Sequence, residues 1–135
     1  MFKIKQLLAL MLSLFISLSY ANSTKEISQE ALQSLIDKKV SDVVVLDVRS
    51  VEEFNEGHIQ GAVNMSYDII NENLIQLRQY KDSKVVVYCR SGRRAAIAER
   101  ILAANGFHDL HHLTGDMNAW VEAELPVYNS KGLIK

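Results

Sequence analysis

Two short runs of adjacent apolar residues constrain the fold of this chain more than any other feature. Residues 43–46 read Val-Val-Val-Leu, and residues 85–88 read Val-Val-Val-Tyr. A strand with one face in water alternates apolar and polar residues, whereas a strand buried on both faces of a parallel sheet does not. The runs therefore predict two central strands of a parallel sheet, which needs helices on both faces.

Segments with helical periodicity lie around these strands. Before and after the first strand we predict a helix capped by Ser28, with Ala31, Leu32, Leu35 and Ile36 on one face, and a helical turn at Val51–Glu56. A brief strand at Ala62 and Val63 and an amphipathic stretch over residues 68–80 follow. After the second strand we predict a helix over residues 94–104 ended by Asn105 and Gly106, a weaker strand over residues 109–113, and a short helix with Met117 and Trp120. Strands that alternate with helices predict an α/β fold, a parallel β-sheet with helices packed on both faces.

The first 21 residues predict a secretory signal peptide. Lys3 and Lys5 precede an apolar run over residues 7–15, and Ser19 and Ala21 supply the small residues of a cleavage site. An uncleaved transmembrane anchor is the alternative, but this run is shorter than the roughly 20 apolar residues that a span requires. We expect removal of residues 1–21, one domain over residues 22–135 and a periplasmic location; the peptide alone does not separate periplasm from medium.

Charge and composition exclude several classes of partner. The signal peptide holds two of the 15 basic residues and none of the 16 acidic ones, so the mature chain has a net charge of −3 and no general attraction for nucleic acid or a membrane. A single cysteine forms no internal disulfide. His111 and His112 would point to opposite faces of a strand, so no metal and no other cofactor is expected. A monomer is expected, although the sequence does not fix the oligomeric state.

Cys89 lies where a parallel sheet places its ligands, directly after a strand and before a helix. The positive end of that helix and the guanidinium groups of Arg90, Arg93 and Arg94 favour the thiolate. The alternative is an unreactive cysteine that fills space in the core. However, cations in the first turn oppose the helix dipole at a cost of about 0.3–1 kcal/mol each. Their presence indicates that the loop binds an anion, and thiosulfate is a small dianion of suitable kind.

Three blocks of the sequence resemble the single-domain rhodanese family, in the same order. Residues 89–95, Cys-Arg-Ser-Gly-Arg-Arg-Ala, are similar to the family's active-site loop. The preceding block contains residues 46–49, Glu53-Phe54, residues 57–59, Gly61-Ala62 and Asn64, and the closing block contains Gly106-Phe107, residues 113–115, Trp120 and residues 125–127. The resemblance covers about residues 26–128 and implies a rhodanese-like fold and sulfurtransferase activity.

The resemblance also implies roles for individual residues. Cys89 would attack the outer sulfur of a donor such as thiosulfate, become a persulfide and pass the sulfur to cyanide or a thiol. The loop would surround the persulfide, which gives Arg90, Ser91, Gly92, Arg93 and Arg94 as expected substrate-binding residues. Arg94 is the expected main anion-binding side chain. Asp47, Arg49 and His58 are expected to fix the neighbouring loop and strand rather than to react.

Two residues depart from the family pattern, because the family commonly has glycine where Asp116 and Glu124 stand. Neither residue lies in the cysteine loop. We therefore expect them to alter the turns near Trp120 and to leave the chemistry unchanged.

Three other functions compete with the sulfurtransferase interpretation. A phosphatase or arsenate reductase of related fold uses a Cys-x5-Arg loop, but the sixth residue after Cys89 is Ala95, and the loop that ends at Arg94 is one residue shorter. A non-catalytic binding module would not need Cys89. A persulfide carrier that delivers sulfur to a protein partner uses the same intermediate, so the sequence does not separate it from the enzyme.

Overall fold

The computed structural model describes residues 24–135, and the predicted signal peptide lies outside them. In chain order the elements are β1 (Lys25–Ile27), α1 (Gln29–Asp37), β2 (Val43–Asp47), α2 (Val51–Glu56), β3 (Val63–Asn64), α3 (Leu74–Leu77), β4 (Lys84–Tyr88), α4 (Arg93–Ala104), β5 (Leu110–Leu113), α5 (Asp116–Glu122), β6 (Tyr128–Asn129) and β7 (Gly132–Leu133). Among these residues no helix is both long and apolar enough to span a lipid bilayer.

Five strands form one parallel sheet in the order β1-β5-β4-β2-β3. The two apolar runs of the sequence form β2 and β4, which pair with each other so that Val45 lies beside Val86. The short strands β6 and β7 form a separate antiparallel pair. The predicted fold class, an α/β fold with a parallel sheet, is confirmed.

Each face of the sheet packs against its own helices. On one face Val85, Val87 and Cys89 contact a cluster that includes Ala98 and Leu102 of α4. On the other face Val86 and Tyr88 join a cluster with Leu32 of α1 and Trp120 of α5. Because both faces are covered, the four consecutive residues from Val85 to Tyr88 are all buried. This explains why the sequence of the strand does not alternate.

The amphipathic stretch over residues 68–80 forms three separate turns rather than one helix. They are the 3₁₀ turn Tyr67–Ile69, helix α3 and the 3₁₀ turn Arg78–Tyr80. Ile70 and Leu77 are buried, but Ile75 is 80% exposed, so no single apolar face runs through the segment. The Asn73 side chain donates a hydrogen bond of 2.8 Å to the carbonyl of Ile69, and such local bonds compete with a continuous helix.

The sequence predicts neither β1 nor the β6–β7 pair. Strand β1 reads Lys-Glu-Ile and lies at the edge of the sheet, where Ile27 pairs with Leu113 of β5. Two exposed polar residues and one apolar residue give no periodic signal. The brief strand expected at Ala62 and Val63 is found one residue later, and the helix after the cysteine loop begins one residue earlier than predicted.

Candidate active site

Cys89 directly follows β4 and opens the loop that leads into α4. Its side chain belongs to an apolar cluster, and the residue is 1% exposed. The main-chain N–H of Gly92 donates a hydrogen bond of 3.0 Å to the Cys89 sulfur. Burial alone would suit a cysteine that only fills space. An N–H group aimed at the sulfur, at the start of a helix, is instead the arrangement that stabilises negative charge there.

Gly92 makes the turn back towards the sulfur. Its φ of 116° lies in the left-handed region that L side chains rarely adopt. A Cβ atom at this position would also lie 3.2 Å from a carboxylate oxygen of Asp116. Both facts explain why the fourth residue of the loop is glycine.

The main chain of the loop is held by the first turn of α5. The N–H of Cys89 donates to Oδ1 of Asp116 at 2.9 Å. The N–H groups of Met117 and Asn118 donate to the carbonyls of Cys89 and Arg90 at 3.0 and 3.1 Å. Three hydrogen bonds thus fix the first two residues of the loop against α5.

The three arginines of the loop have different environments. Arg90 and Arg93 are exposed, whereas Arg94 is partly buried and forms two hydrogen bonds of 2.7 and 2.9 Å with the carboxylate of Glu53 in α2. The Glu53 hydrogen bond raises the pKa of Arg94, and the nearby Cys89 side chain raises it further. The same hydrogen bond lowers the pKa of Glu53. Arg94, the expected anion-binding side chain, is therefore already paired with a carboxylate.

A cleft of about 380 Å³ lies beside the loop. Its lining combines charged side chains with apolar ones: Arg49, Glu53, Glu56, Arg90, Met117, Asn118 and Val121. Arg90 and Glu53 connect this cleft to the cysteine loop, since Arg90 follows Cys89 and Glu53 holds Arg94. Ser91 is exposed at the tip of the loop.

Asp47, Arg49 and Tyr88 form a buried network next to the loop. Arg49 holds Asp47 with Nε at 3.0 Å from Oδ1 and Nη2 at 2.6 Å from Oδ2, and it also donates to the carbonyl of Gly57 at 2.7 Å. Tyr88 donates its hydroxyl to Asp47 at 2.6 Å. Burial acts to lower the pKa of Arg49, but the Asp47 carboxylate outweighs it and the pKa is raised. These bonds join β2, β4 and the turn at Gly57, and they therefore hold this part of the fold together.

His58 contacts its own turn and the carboxyl-terminal segment. Its ring stacks on Phe54 with 3.8 Å between the ring centroids, and Nδ1 lies 2.9 Å from the carbonyl of Phe54. Its main-chain N–H donates to the carbonyl of Tyr128 at 2.8 Å. None of these contacts involves Cys89.

A second buried network, formed by Glu99, His112 and Asp116, contacts the cysteine loop through Asp116. His112 lies between two carboxylates: Nε2 is 3.0 Å from Oδ2 of Asp116, and Nδ1 is 2.5 Å from Oε1 of Glu99 in α4. The hydrogen bonds to Asp116 and then Glu99 raise the pKa of His112 to about 10, so it is an imidazolium at neutral pH. Asp116 and Glu99 are 1% and 6% exposed.

Asp116 does more than alter a turn near Trp120, because its carboxylate contacts the cysteine loop; that it leaves the chemistry unchanged stays a prediction. Asp116 is outside the loop in sequence but accepts a hydrogen bond from Cys89 itself. The departure from the family pattern was the signal, because a charged residue in place of glycine at a buried turn requires partners. Glu53 is a second side chain whose contact with the loop the sequence did not reveal. Within residues 24–135, no cluster of His, Cys, Asp and Glu has an arrangement that could hold a metal ion.

The chain is similar to known proteins over most of its length. A model of the rhodanese-like domain matches residues 28–123. The thiosulfate sulfurtransferase GlpE of Shewanella oneidensis is 35% identical over 104 residues, which cover 76% of this chain and 97% of that protein. The putative sulfur carrier protein YrkF of Bacillus subtilis is 31% identical over 100 residues, or 74% of this chain, which spans only about half, 52%, of that protein.

The fold is shared with solved structures as well. The crystal structure of a rhodanese-related protein from Thermoplasma volcanium superposes with a TM-score of 0.66 at 28% sequence identity, and the match covers 76% of this chain and 96% of that one. The sequence similarity, the shared fold and the cysteine loop that follows β4 all indicate the same family. The chain belongs to the rhodanese-like family of sulfurtransferases and sulfur carriers.

Proposed function

We propose that this protein is a thiosulfate sulfurtransferase that works through a persulfide on Cys89. In the first step the Cys89 thiolate attacks the outer sulfur of thiosulfate, the sulfur–sulfur bond of the donor breaks, and sulfite leaves with the electron pair. In the second step a thiophilic acceptor, cyanide or a thiol, attacks the outer sulfur of the persulfide, and the Cys89 thiolate is released. Both steps balance without an oxidant or a cofactor.

The observation that carries this proposal is the hydrogen bond from the Gly92 N–H to the Cys89 sulfur. It places the sulfur at the start of α4, where main-chain N–H groups favour an anion. Among the described residues, none accepts a hydrogen bond from the N–H groups of Ser91, Arg93 or Arg94. These donors are suited to stabilise the outer sulfur of a persulfide, which carries the negative charge after the first step.

Binding of the donor would use the cations around the loop. Arg90 and Arg93 are exposed and can attract a dianion, while Arg94 must share or exchange its Glu53 partner to contact the substrate. Because Cys89 is almost fully buried, the loop or the Glu53–Arg94 pair must also move for the donor to reach the sulfur. The cleft beside Arg90 is the natural approach.

A persulfide carrier that delivers sulfur to a protein acceptor is the second candidate. The similarity to the putative sulfur carrier protein YrkF favours it. A phosphatase of related fold would need an anion-binding side chain at residue 95, where a fully buried alanine packs in the core. That function has no support in the loop.

The test is a steady-state assay of thiocyanate formation from thiosulfate and cyanide, repeated with a small thiol and with protein thiols as acceptors. We expect turnover with thiosulfate and its complete loss in the Cys89→Ser variant. Fast transfer to a protein thiol with little transfer to small acceptors would favour the carrier. An active Cys89→Ser variant would contradict the proposal.

We propose further that the protein acts outside the cytoplasm. The pattern of basic, apolar and small residues over residues 1–21 supports export. In an oxidising compartment the lone Cys89 has no internal partner, which keeps it available for sulfur chemistry.

A further inference from the structure

We infer that Asp116 is a positioning residue of the sulfur-transfer site, which sets the place and the electrostatic environment of Cys89 through its main chain and is itself held by His112 and Glu99. The inference rests on the proposed function of Cys89. It concerns a residue outside the loop, at a position where the family commonly has glycine.

The geometry is a chain of three buried contacts that ends at the nucleophile. Glu99 binds His112, His112 binds Oδ2 of Asp116, and Oδ1 of Asp116 accepts the N–H of Cys89 at 2.9 Å. Asp116 itself adopts a left-handed backbone with φ of 55°, which is unfavourable for a residue with a side chain. The two hydrogen bonds of its carboxylate account for its presence in that conformation.

The charges of Glu99, His112 and Asp116 affect the Cys89 sulfur because this row of contacts ends at the main chain of Cys89. A carboxylate near Cys89 opposes the negative charge that the sulfur carries as thiolate and as persulfide. The imidazolium of His112 lies between Asp116 and Glu99 and offsets part of the negative charge of these two carboxylates. Asp116 can therefore fix the main chain of Cys89 without the full electrostatic penalty of an unpaired anion.

The charged groups that face this part of the molecule come from three helices, from β5, which carries His112, and from Arg90 and Arg93 beside Cys89. Glu99 and Arg94 approach from α4, Asp116 from the start of α5, and Glu53 from α2 through its bridge to Arg94. Arg94 lies close enough to the Cys89 sulfur for that side chain to raise the pKa of Arg94, so the Asp116–His112 pair acts on the sulfur in addition to Arg94.

Two substitutions shift this balance in opposite directions. Asp116→Asn keeps an oxygen that accepts the Cys89 N–H but removes the negative charge. His112→Gln removes the positive charge and leaves the carboxylates of Asp116 and Glu99. We expect the midpoint of the pH profile for alkylation of Cys89 to fall by roughly 0.5–1 pH unit in the first variant and to rise by a similar amount in the second.

The matched control is His111→Gln. His111 also pairs with a carboxylate, Asp109 at 2.7 Å, but it is the neighbour of His112 on β5 and points to the other face of the sheet. Its substitution should leave the alkylation midpoint unchanged.

The experiment measures the rate of iodoacetamide alkylation of Cys89 against pH in the full chain, together with the rate of sulfur uptake from thiosulfate. Opposite shifts in the two variants support the inference. Lower melting temperatures with unchanged midpoints would overturn it, since a merely structural role predicts that result. If only one variant folds, the sign of the midpoint shift in that variant decides. Wild-type protein that takes up no sulfur, with midpoints that shift as stated, would refute the proposed function and still support the positioning role.

Discussion

At the scale of single residues, Asp116 and Glu124 show two consequences of placing a side chain where the family commonly has glycine. Both stand where the family commonly has glycine, and both have a left-handed backbone, with φ of 55° and 56°. Asp116 makes buried hydrogen bonds that compensate for this conformation. The side chain of Glu124 is exposed and has no such bond among the described residues. Of these two residues, only Glu124 therefore carries the conformational cost without compensation.

Replacing Glu124 with glycine should stabilise the protein by about 0.5–1 kcal/mol, because the relief of left-handed strain outweighs the added freedom of the unfolded chain. Urea unfolding measures the change, provided that the slope is unaltered. Glu122→Gly is the matched control, since this exposed residue ends α5 with a helical backbone, and we expect a loss of about 0.5–1 kcal/mol there. A destabilised Glu124→Gly variant would contradict this account of the turn.

The Tyr88 hydroxyl is a second residue-scale prediction. It donates to Asp47 at 2.6 Å and accepts the N–H of Ile59 at 3.2 Å, all within the buried network. Tyr88→Phe leaves two buried polar groups short of a partner and should lower the free energy of unfolding by about 1–3 kcal/mol. The Tyr80 hydroxyl forms no hydrogen bond with a described residue, so Tyr80→Phe should change the free energy of unfolding little. Equal stability of the two variants in thermal unfolding would refute the structural role given to this network.

At the scale of secondary-structure elements, the Glu53–Arg94 bridge joins α2 to the first turn of α4. Glu53→Gln should free Arg94 for the donor and lower the KM for thiosulfate by about 2–5-fold, the range expected of a partly exposed ion pair. Glu52→Gln changes the charge of the same helix without touching Arg94 and serves as the control. A KM that rises in Glu53→Gln would show that the bridge orients Arg94 instead of occupying it.

The same bridge predicts a pH dependence of stability. The pKa of Glu53 in the folded protein is below its ordinary value of 4.5. The bridge therefore stabilises the fold above about pH 4.5, and this contribution is lost as the pH falls through the folded-state pKa. Melting temperatures of wild type and Glu53→Gln should differ at pH 6–8, and the difference should shrink as the pH falls below 4.5. A difference that persists in acid would contradict the assignment.

The sequence predicts those elements whose burial leaves a periodic or continuous apolar pattern. Strands β2 and β4 and helices α1 and α4 are found with bounds within one or two residues. Strand β1 is not predicted because pairing with β5, rather than its own composition, makes it a strand. Cys89 and its loop are visible in the sequence. The contacts of Glu53 with Arg94 and of Asp116 with Cys89 are not, since they join residues 41 and 27 positions apart.

At the scale of the whole molecule, the parallel sheet explains why the site lies where it does. All five strands run in the same direction, so the ends of β2 and β4 bring Asp47 and Cys89 to the same edge. Helices on both faces bury the strands. The first turn of α5 and the start of α4 fix the cysteine loop. The domain bounds of residues 22–135 and the monomeric state stay predictions.

Export is the prediction that concerns the whole chain. When the full sequence is expressed in a Gram-negative host, we expect the protein in the periplasmic fraction with a mass that lacks residues 1–21. Cytoplasmic protein of full length would contradict the interpretation of that segment. The measurement is fractionation followed by intact mass spectrometry.

The central claim is that Cys89 itself carries the sulfur between donor and acceptor. Intact mass spectrometry after incubation with thiosulfate tests it most directly. We predict that the wild-type protein gains the mass of one sulfur atom, that cyanide removes it, and that Cys89→Ser gains nothing. A wild-type protein whose mass does not change under these conditions would contradict the account.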